Sequence, residues 1–353
     1  MTRVPRRALG ALPGLLAPLV APGIARAQAP RDLTILSRGG TYQEAQREVF
    51  FRPFQARSGT RLLEETWDGG LGALRTRIAA GMAAWDVAVV EGDELALGCE
   101  EGLFEPLDPA LFGGEERFVP GALRPCGLGV ATYALVLAHD RAAAPDAPTG
   151  WADLFDTARF PGRRALRRAA RDTLEIALLG DGVPPAAVYR ELATAAGTDR
   201  AFGRLDSIRD WLAWWERGSA PGRLLAAGEV VLTAAYSGRI AVANRDAGRD
   251  FGVVWRGAIR AMGYWAVAHA SPNRERALEF LRFAAEPAVQ AALPARIPYG
   301  VTLRAAAELL PAELRATLPD APERAAEGLA TDDAFWVRHG DRLSRRFEAW
   351  LAR

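Results

Sequence analysis

The most conspicuous absence from this chain of 353 residues is lysine, since all 44 of its basic side chains are arginine. The absence excludes a P-loop lysine, a Schiff base and a lysine general base. Histidine is scarce as well, and His139, His269 and His339 lie far apart, without the spacing of a metal site. The formal net charge of +1 argues against nucleic acid or an anionic membrane surface as a partner.

The N-terminus has the layout of a secretory signal peptide. Arginines at positions 3, 6 and 7 precede an uncharged stretch over residues 8–25, and Ala25-Arg26-Ala27 then supplies a small-x-small cleavage site. Residues 27–29 offer an alternative site. We therefore predict export to the periplasm, with residues 1–27 removed by cleavage near Ala27.

A membrane-spanning helix is the competing interpretation of this stretch, because its length is close to the minimum span. Pro13, Pro18 and Pro22 argue against such a helix, since each interior proline costs about 3 kcal/mol. The Arg6-Arg7 pair leaves open whether export uses the general secretory route or the twin-arginine route.

Cys99 and Cys126 are the only cysteines. In an oxidising compartment two cysteines are expected to pair, and the bond would restrict the unfolded chain by roughly 3–4 kcal/mol in the chain-entropy description. The alternative is two buried thiols that pack as small apolar side chains. We expect the disulfide, and neither alternative indicates a metal site.

Three short apolar strands, predicted at residues 33–37, 61–66 and 86–90, each run into a turn and then a helix. The turns carry aromatic, acidic and glycine residues: Gly39-Gly40-Thr41-Tyr42, Trp67-Asp68-Gly69-Gly70 and Glu91-Gly92-Asp93. In open α/β sheets, ligands bind outside the carboxyl ends of the strands. The repetition predicts one composite cleft lined by rings, carboxylates and helix N-termini.

Strands continue to alternate with helices along the chain, which predicts an α/β fold. The number of units is too large for one ordinary domain, so we expect two lobes joined at a hinge. The predicted boundaries are residues 28–136 for the first part of lobe 1, residues 137–265 for lobe 2, and residues 266–353 for the completion of lobe 1. The last helix, over residues 333–351, is expected to pack back across the junction.

A series of motifs appears in a characteristic order behind the signal peptide. They are Gly39-Gly40-Thr41-Tyr42-Gln43-Glu44-Ala45, Trp85-Asp86-Val87, Glu101-Gly102-Leu103-Phe104-Glu105-Pro106-Leu107-Asp108, Trp151-Ala152-Asp153-Leu154, Phe160-Pro161-Gly162, Leu225-Ala226-Ala227-Gly228-Glu229-Val230 and Pro272-Asn273. Each is weak alone, but together they resemble the periplasmic solute-binding proteins of ABC importers, in the spermidine/putrescine-like branch.

The resemblance implies a two-lobed type II periplasmic binding protein fold, in which each lobe is a mixed sheet flanked by helices and the ligand cleft lies at the hinge. It further implies a monomer without cofactor, metal or catalysis. The implied partners are a small amine or amino-acid-like ligand and a membrane permease with its ATPase.

The same resemblance implies ligand-binding residues in the first lobe. Gly40, Thr41 and Tyr42 follow the first strand, where Tyr42 would stack on the aliphatic body of the ligand; the alternative is that Tyr42 packs on its own lobe. Glu91 follows the third strand and is expected to face the other lobe. Asp93 is expected to cap the next helix.

In the second lobe the resemblance points to Asp172, Thr173 and Glu175. Two carboxylates at this spacing suit a cationic amine, because burying a charge without a partner is costly. Asp-x-x-Glu is equally a helix-capping pattern, so both roles remain open. Arg171 could receive a ligand carboxylate, whereas the arginines of residues 163–168 are expected to form a solvated face.

The resemblance completes the predicted site with further positions, mostly aromatic: Trp215, Tyr236, Ser237, Tyr264, Trp265 and Tyr299. Trp214 and Trp215 alternate across a strand, so one is expected in the core, and Trp215 is taken to face the cleft. One departure from the pattern stands out: Gly263, before the Tyr264-Trp265 pair, replaces a residue that is usually acidic in relatives. The loss of this carboxylate weakens the case for a long polyamine and favours a smaller amine or an amino acid.

Two other functions compete with solute binding. An enzyme on a similar scaffold is disfavoured, because Gly-x-Ser-x-Gly is absent and no histidine accompanies an evident nucleophile. Ferric-ion binding on the same fold requires clustered tyrosines, and Tyr236 has no tyrosine neighbour in the sequence.

Overall fold

The structure is a computed structural model, and it describes residue 2 and residues 32–79, 85–144, 146–269 and 271–353. The predicted signal peptide therefore lies, residue 2 apart, outside the described residues. Within the described ranges, no helix has both the length and the apolar character needed to cross a membrane.

Strands and helices alternate through most of the chain, as predicted. The strands are β1 (Leu33–Ser37), β2 (Leu62–Thr66), β3 (Val87–Glu91), β4 (Leu123–Arg124), β5 (Gly127–Asp140), β6 (Arg164–Arg167), β7 (Leu212–Trp215), β8 (Leu232–Tyr236), β9 (Phe251–Val267) and β10 (Leu329–Ala330).

The helices lie between and around these strands. They are α1 (Gly40–Gln46), α2 (Arg52–Ser58), α3 (Leu71–Ala79), α4 (Gly92–Glu100), α5 (Trp151–Leu154), α6 (Ala170–Gly180), α7 (Val188–Leu192), α8 (Ala195–Asp206), α9 (Ala220–Ala226), α10 (Ser237–Asp246), α11 (Arg274–Ala284), α12 (Pro287–Ala291), α13 (Leu293–Arg296), α14 (Arg304–Glu308), α15 (Ala312–Ala316), α16 (Pro322–Glu327) and α17 (Asp333–Leu351). A π-helical segment, Arg47–Phe51, joins α1 to α2.

Across the part of the chain that the structure describes, the strands form one ten-stranded sheet in the order β2-β1-β3-β9-β5-β8-β6-β7, with β10 added to β9 and β4 added to β5. We call β2, β1 and β3 the first parallel group, and β8, β6 and β7 the second. Between them lie the antiparallel strands β5, of 14 residues, and β9, of 17 residues. The two predicted sheets are thus joined by two long shared strands.

The register brings the carboxyl ends of the two parallel groups toward each other. Glu91 at the end of β3 is opposite Gly263 of β9, and Tyr236 at the end of β8 is opposite Leu135 of β5. Strand β3 runs in the direction of β5 and β8 runs against it, so these ends converge near Tyr133, in the middle of β5. This is the place where an open α/β sheet binds its ligand.

Strand β9 stays extended over its whole length. An irregularity absorbs the mismatch with β5, where the register shifts between Leu135 and Leu137. Gly257 has a φ of 72° in this region, and its carbonyl oxygen accepts a 2.7 Å hydrogen bond from the Trp151 indole.

The C-terminal helix α17 packs across the junction, as predicted. Its Phe335, Trp336, Leu343 and Phe347 belong to the hydrophobic core that also contains α6, and the helix contacts α4 next to the first parallel group. The sheet continues through both predicted lobe boundaries, at residues 136 and 265, so those boundaries stay a prediction.

The predicted disulfide is confirmed. Cys99 and Cys126 are bonded, with their Cα atoms 5.8 Å apart, and the bond ties α4 to the turn between β4 and β5. It therefore holds the helix that follows Glu91 against the start of a strand that is shared by both halves of the sheet.

Two of the sequence motifs meet in space and have a structural role. The Asp86 carboxylate, just before β3, accepts hydrogen bonds from the Thr34 backbone at 2.8 Å, the Ser271 hydroxyl at 2.5 Å and the Asn273 amide at 3.2 Å. Asp86 thereby fixes β1 and the start of α11 to one another behind the cleft.

Candidate functional site

A cavity lies where the carboxyl ends of the two parallel groups converge. Its rings are Tyr42, Trp67, Tyr133, Tyr236 and Tyr299, and its charged residues are Arg38, Asp68, Glu91, Arg167, Glu216, Arg217 and Arg239. Val89, Val90, Gly218 and Gly263 complete the lining. The cavity offers about 60 Å³ to the centres of water-sized groups. Because one water needs roughly 10–15 Å³ by this measure, the space suits a solute with a handful of heavy atoms.

Four of the six tyrosines in the chain line this cavity and form a continuous row. The ring centroids of Tyr42 and Tyr299 are 5.4 Å apart, those of Tyr299 and Tyr133 are 6.1 Å apart, and those of Tyr133 and Tyr236 are 5.5 Å apart. These edge and tilted contacts are the favoured geometry for aromatic pairs. Gly238 makes the row possible, since a Cβ there would lie 2.5 Å from the Tyr299 ring.

The tyrosines keep their phenolic protons. Burial raises the pKa of Tyr42, Tyr133 and Tyr299 above the ordinary value, and it raises the pKa of Tyr236 to about 12. The cavity therefore presents neutral hydroxyl groups, which both donate and accept hydrogen bonds, beside rings that can receive an aliphatic chain or a cation.

Arg38 is held at one wall by partners on every side. Its guanidinium lies 4.5 Å from the centroid of the Trp67 ring, donates to the Val89 carbonyl at 3.2 Å and pairs with Glu94 at 2.5 Å. Glu94 also accepts the backbone N–H of Glu91 at 2.8 Å and that of Gly70 at 2.6 Å. This carboxylate thus joins the turns that follow β1, β2 and β3.

Glu91 is surrounded by arginines from the second half of the sheet. Its carboxylate lies 3.2 Å from Arg167 and 3.3 Å from Arg171, and Arg167 also pairs with Asp172 at 2.8 Å. Burial alone would raise the pKa of Glu91, but these guanidinium groups lower it below the ordinary value. Glu91 is therefore ionised and already paired, and Arg171 is paired further with Asp93 and with Asp333 at 3.7 Å.

Arg239 differs from the other buried arginines of this region. It is only 9% exposed, and it donates to the backbone carbonyls of Gly39 at 2.9 Å and Arg38 at 3.1 Å. Among the described residues it forms no ion pair, and its Nε has no hydrogen-bond partner. Gly40 makes room for it, since a Cβ there would lie 2.8 Å from Arg239 Nη1.

Several residues predicted for the site line the cavity, namely Tyr42, Glu91, Tyr236 and Tyr299. Gly40 acts next to it, by admitting Arg239. Asp172 and Thr173 lie behind the cavity wall, where both hold Arg167 in place. The Asp172 carboxylate pairs with the Arg167 guanidinium, and the Thr173 hydroxyl donates to the Arg167 carbonyl at 2.8 Å. Thr41 precedes Tyr42 in α1 and is not part of the lining.

The predicted Asp172–Glu175 pair does not face the cavity together. Asp172 has φ 73° and ψ −45°, and the described residues contain no other non-glycine residue with positive φ, so its pairing with Arg167 is kept at a cost in backbone strain. Glu175 is fully buried and accepts from the Trp336 indole at 2.7 Å and the Tyr189 hydroxyl at 3.2 Å. The backbone of Arg171 and Asp172 is not helical, so the regular part of α6 begins only after Asp172.

Four other residues predicted for the site lie in the core instead. Tyr264 and Trp265 are each 1% exposed and pack into two different hydrophobic clusters. They follow Gly263 on β9, and only Gly263 reaches the cavity. Trp215 is buried behind Tyr236, with ring centroids 5.8 Å apart. The Ser237 hydroxyl is buried at the start of α10 without a partner in the described structure.

Two further expectations need correction. Helix α4 begins at Gly92 with Glu91 as its N-cap, so Asp93 is not the cap and pairs with Arg171. The arginine run is a solvated face only in part, since Arg163 and Arg168 are exposed and the other two arginines are not. Arg164 is fully buried and donates to the Leu154 carbonyl at 2.8 Å, and Arg167 lines the cavity.

Sequence reasoning missed several lining residues, among them one from β5 and one from α10. Tyr133 lies in the middle of a long apolar strand, and Arg239 lies two residues into a helix. For Tyr133 the available signal was the convergence of the strand ends. It points to the middle of β5 once the pairing of β5 with its neighbouring strands is known. For Arg239 the signal was the Gly39-Gly40 pair, which leaves room for a large group.

The expectation that Tyr236 stands apart from other tyrosines holds for the sequence but not for the structure. Tyr236 has no tyrosine neighbour in sequence, but in space it contacts Tyr133. Within the described ranges, no group of three or more histidine, cysteine, aspartate or glutamate residues is placed to hold a metal ion.

Comparison with known proteins agrees with this geometry. Residues 51–325 match the family of bacterial extracellular solute-binding proteins. The γ-aminobutyric acid-binding protein of Pseudomonas aeruginosa PAO1 is 41% identical over 329 residues, which are 93% of each chain.

Solved structures give the same result. A periplasmic binding protein of Agrobacterium tumefaciens B6, in complex with glucopine, superposes with a TM-score of 0.86 at 26% identity, over 91% of this chain and 99% of that one. A structure described as a GABA receptor superposes with a TM-score of 0.79 at 29% identity, over 91% and 97%.

These similarities confirm the two-lobed periplasmic binding protein fold and the family expectation. Membership of this family implies export to the periplasm, a small-molecule ligand, and an ABC permease with its ATPase as partners. The chain belongs to the bacterial extracellular solute-binding protein family and is the substrate-binding component of an ABC importer.

Proposed function

We propose that the protein captures a small solute that carries both an amine and a carboxylate, with γ-aminobutyric acid as the model ω-amino acid. The observation that carries the proposal is Arg239, a buried cation that forms no ion pair among the described residues. The name of the Pseudomonas relative and that of the GABA receptor structure support the same class of ligand.

The carboxylate of the solute binds Arg239. A buried charge without a counter-charge is costly, and a guanidinium presents its donors in a fork that matches a carboxylate. Arg239 Nε is a free donor, and its two carbonyl partners leave the positive charge uncompensated. A ligand carboxylate supplies both the missing acceptor and the missing charge.

The amine binds among the rings and beside Glu91. Tyr42, Tyr133, Tyr236 and Tyr299 offer ring faces and hydroxyl oxygens, and each cation–π contact contributes about 0.5–2 kcal/mol. A second ammonium group would need a second buried carboxylate in the cavity wall, and Asp68 and Glu216 of the lining are both exposed. Asp172 lies behind the wall and Glu175 lies in the core, which disfavours spermidine and putrescine.

Binding closes the hinge. The cavity takes Arg38, Tyr42 and Glu91 from the first half of the sheet, and Arg167, Tyr236 and Arg239 from the second. A solute that touches both halves favours the closed state by its differential contacts. The closed, monomeric protein then delivers the solute from the periplasm to the permease.

A thermal-shift and calorimetry series tests the proposal. We expect γ-aminobutyrate to stabilise the protein and to bind far more tightly than putrescine or butyrate, each of which lacks one of the two charged groups. If putrescine binds as tightly as γ-aminobutyrate, the carboxylate is not recognised and the proposal is wrong. A sugar or betaine as the sole binder would also contradict it.

Ferric-ion binding is the second candidate, and the row of tyrosines is the observation that favours it. Iron binds phenolate, whereas burial raises the pKa of all four hydroxyl groups and keeps them protonated. The nearby arginines repel a cation further. A visible charge-transfer band on addition of ferric ion would support this alternative.

A further inference from the structure

We infer that Gly263 is a specificity-determining residue, whose bare backbone forms the part of the cavity wall against which the aliphatic chain of the solute lies. The inference rests on the proposed function, because it assigns a contact within the same cavity. It concerns the size of the solute that the cavity admits, whereas Arg239 and Glu91 concern its charge.

Gly263 lies in the interior of β9, where glycine is an unfavourable choice. A glycine in a strand loses more conformational freedom on folding than any other residue and has no side chain to pack. Glycine is usually kept at such a position by a backbone conformation or by a close neighbour. The same strand shows both reasons elsewhere: Gly257 has a φ of 72°, and a Cβ at Gly252 would lie 2.1 Å from the His139 ring.

Neither reason applies to Gly263. Its φ lies outside the left-handed region, and a Cβ placed there would meet its nearest atoms at 3.8 Å on Val89, 3.9 Å on Tyr133 and 4.0 Å on the Tyr42 hydroxyl. These are ordinary van der Waals distances, so the protein itself would accept alanine. A β-bulge lies opposite Gly263, where the register shifts between Gly129 and Ala131, but its extra residue, Val130, belongs to β5. The remaining reason for glycine within a strand is the close approach of a ligand.

The atoms that surround this missing Cβ are themselves part of the cavity wall. Val89, Tyr133 and Tyr42 all line the cavity, and Glu91 is opposite Gly263 on β3. A methyl group on Gly263 would therefore project into the space of about 60 Å³ that the solute occupies. It would take at least the room of one water-sized group, roughly 10–15 Å³ by the same measure.

The consequence is a limit on chain length. With glycine, the cavity has room for an extended aliphatic chain between the two charged ends. With alanine, the loss of space should affect longer ω-amino acids more than shorter ones, because the positions of Arg239 and Glu91 remain unchanged. The ranking of ligands should therefore shift toward the shorter molecules.

Two variants of the full-length mature protein test this inference. In Gly263→Ala we expect a Tm that is unchanged or higher by about 1–3 °C, together with an affinity for γ-aminobutyrate at least 10-fold lower by calorimetry. The loss for 5-aminovalerate should exceed the loss for β-alanine. Gly203→Ala is the matched control: Gly203 lies in α8, and its Cβ would have no atom within 4 Å.

The control should show the increase in Tm without any change in affinity. The inference is overturned if Gly263→Ala binds all three ligands as the wild type does. It is equally overturned if that variant loses stability, because the fold itself would then require glycine. If the wild-type protein binds none of the amino acids, the proposed function fails instead, and the two variants are compared with the solute that does stabilise the wild type.

Discussion

Two of the regions that contain buried arginines differ in what surrounds the charge. Around Arg171 and Arg167, every guanidinium meets carboxylates from another element: Glu91, Asp93, Asp172 and Asp333. Around Arg239, the acceptors are two backbone carbonyls and a nitrogen remains without a partner.

The difference separates structure from function. In the first region every guanidinium has a carboxylate partner, and these pairs join α6 to α4 and α17. The region therefore stabilises the protein in the absence of any ligand. The second is incomplete, and a solute must complete it. Removing an arginine from the first region should therefore lower stability, whereas removing Arg239 from the second should lower ligand affinity and change stability little.

The largest expected effect is on stability, in Arg171→Met. This substitution leaves the Glu91 and Asp93 carboxylates without their shared cation, which costs about 3–5 kcal/mol when a buried pair is broken. Urea denaturation of the ligand-free protein measures the loss. The double variant with Asp93→Asn should recover part of it. A loss below about 1 kcal/mol would show that the network contributes little and would remove the contrast with Arg239.

The next effect is on binding, in Arg239→Met. We expect the affinity for γ-aminobutyrate to fall by about 2–4 kcal/mol, since truncation removes one partner of a buried charge pair. The unfolding free energy without ligand should change by no more than about 1 kcal/mol, because no protein carboxylate loses its partner. Calorimetry and denaturation on the same sample measure both values.

Arg239→Lys is the matched control for this variant. It keeps the charge and loses the fork geometry, so its affinity should lie between those of the wild type and Arg239→Met. Equal affinity in all three proteins would show that the solute carboxylate binds elsewhere.

Glu175 sharpens the comparison, because it is a buried acid without a cation. Burial, with the neighbouring Asp172 charge, raises the pKa of Glu175 to about 8. The folded protein therefore holds a proton that the unfolded chain releases near its ordinary pKa of about 4.3. The stabilising effect of this proton is complete below that lower value and is lost as the pH rises through the folded pKa.

Wild-type stability should consequently fall by about 1–3 kcal/mol between pH 6 and pH 8 relative to Glu175→Gln. Glutamine still offers an acceptor to the Trp336 indole but does not titrate. Denaturation at several pH values gives the difference between the two proteins. A difference that is constant with pH would mean that Glu175 does not hold a proton in this range.

The smallest effect is expected at the tyrosine row. Tyr236→Phe removes one hydroxyl and retains the ring that contacts Tyr133, so binding should weaken by no more than about 1 kcal/mol. Tyr236→Ala removes the ring as well and should weaken binding further without unfolding the protein. If phenylalanine and alanine have the same effect, the ring does not contact the solute.

The sequence predicted the first half of the molecule better than the second. Near the first parallel group the predicted strands match to within a residue at each end, and Tyr42 and Glu91 line the cavity. The match is good because each strand, turn and helix follows in order, so the local pattern specifies the local structure. The disulfide was likewise predicted from cysteine count and compartment.

Predictions for the second half failed where the environment of a side chain depends on distant elements. The Asp172–Glu175 spacing gave no indication that α17 would cover Glu175 with Trp336. Tyr264 and Trp265 were assigned to the cleft because of their position on the hinge strand, yet the faces of β9 are set by packing against α11 and by the pairing with β3.

The sequence by itself determined the order of strands and helices and the residue types that reach the cleft, because these depend on local composition and periodicity. Only the tertiary structure decided which charges neutralise one another. Arg167, Arg171 and Arg239 are the same residue type in the sequence. They differ only because folding brings carboxylates to the first two and backbone carbonyls to the third.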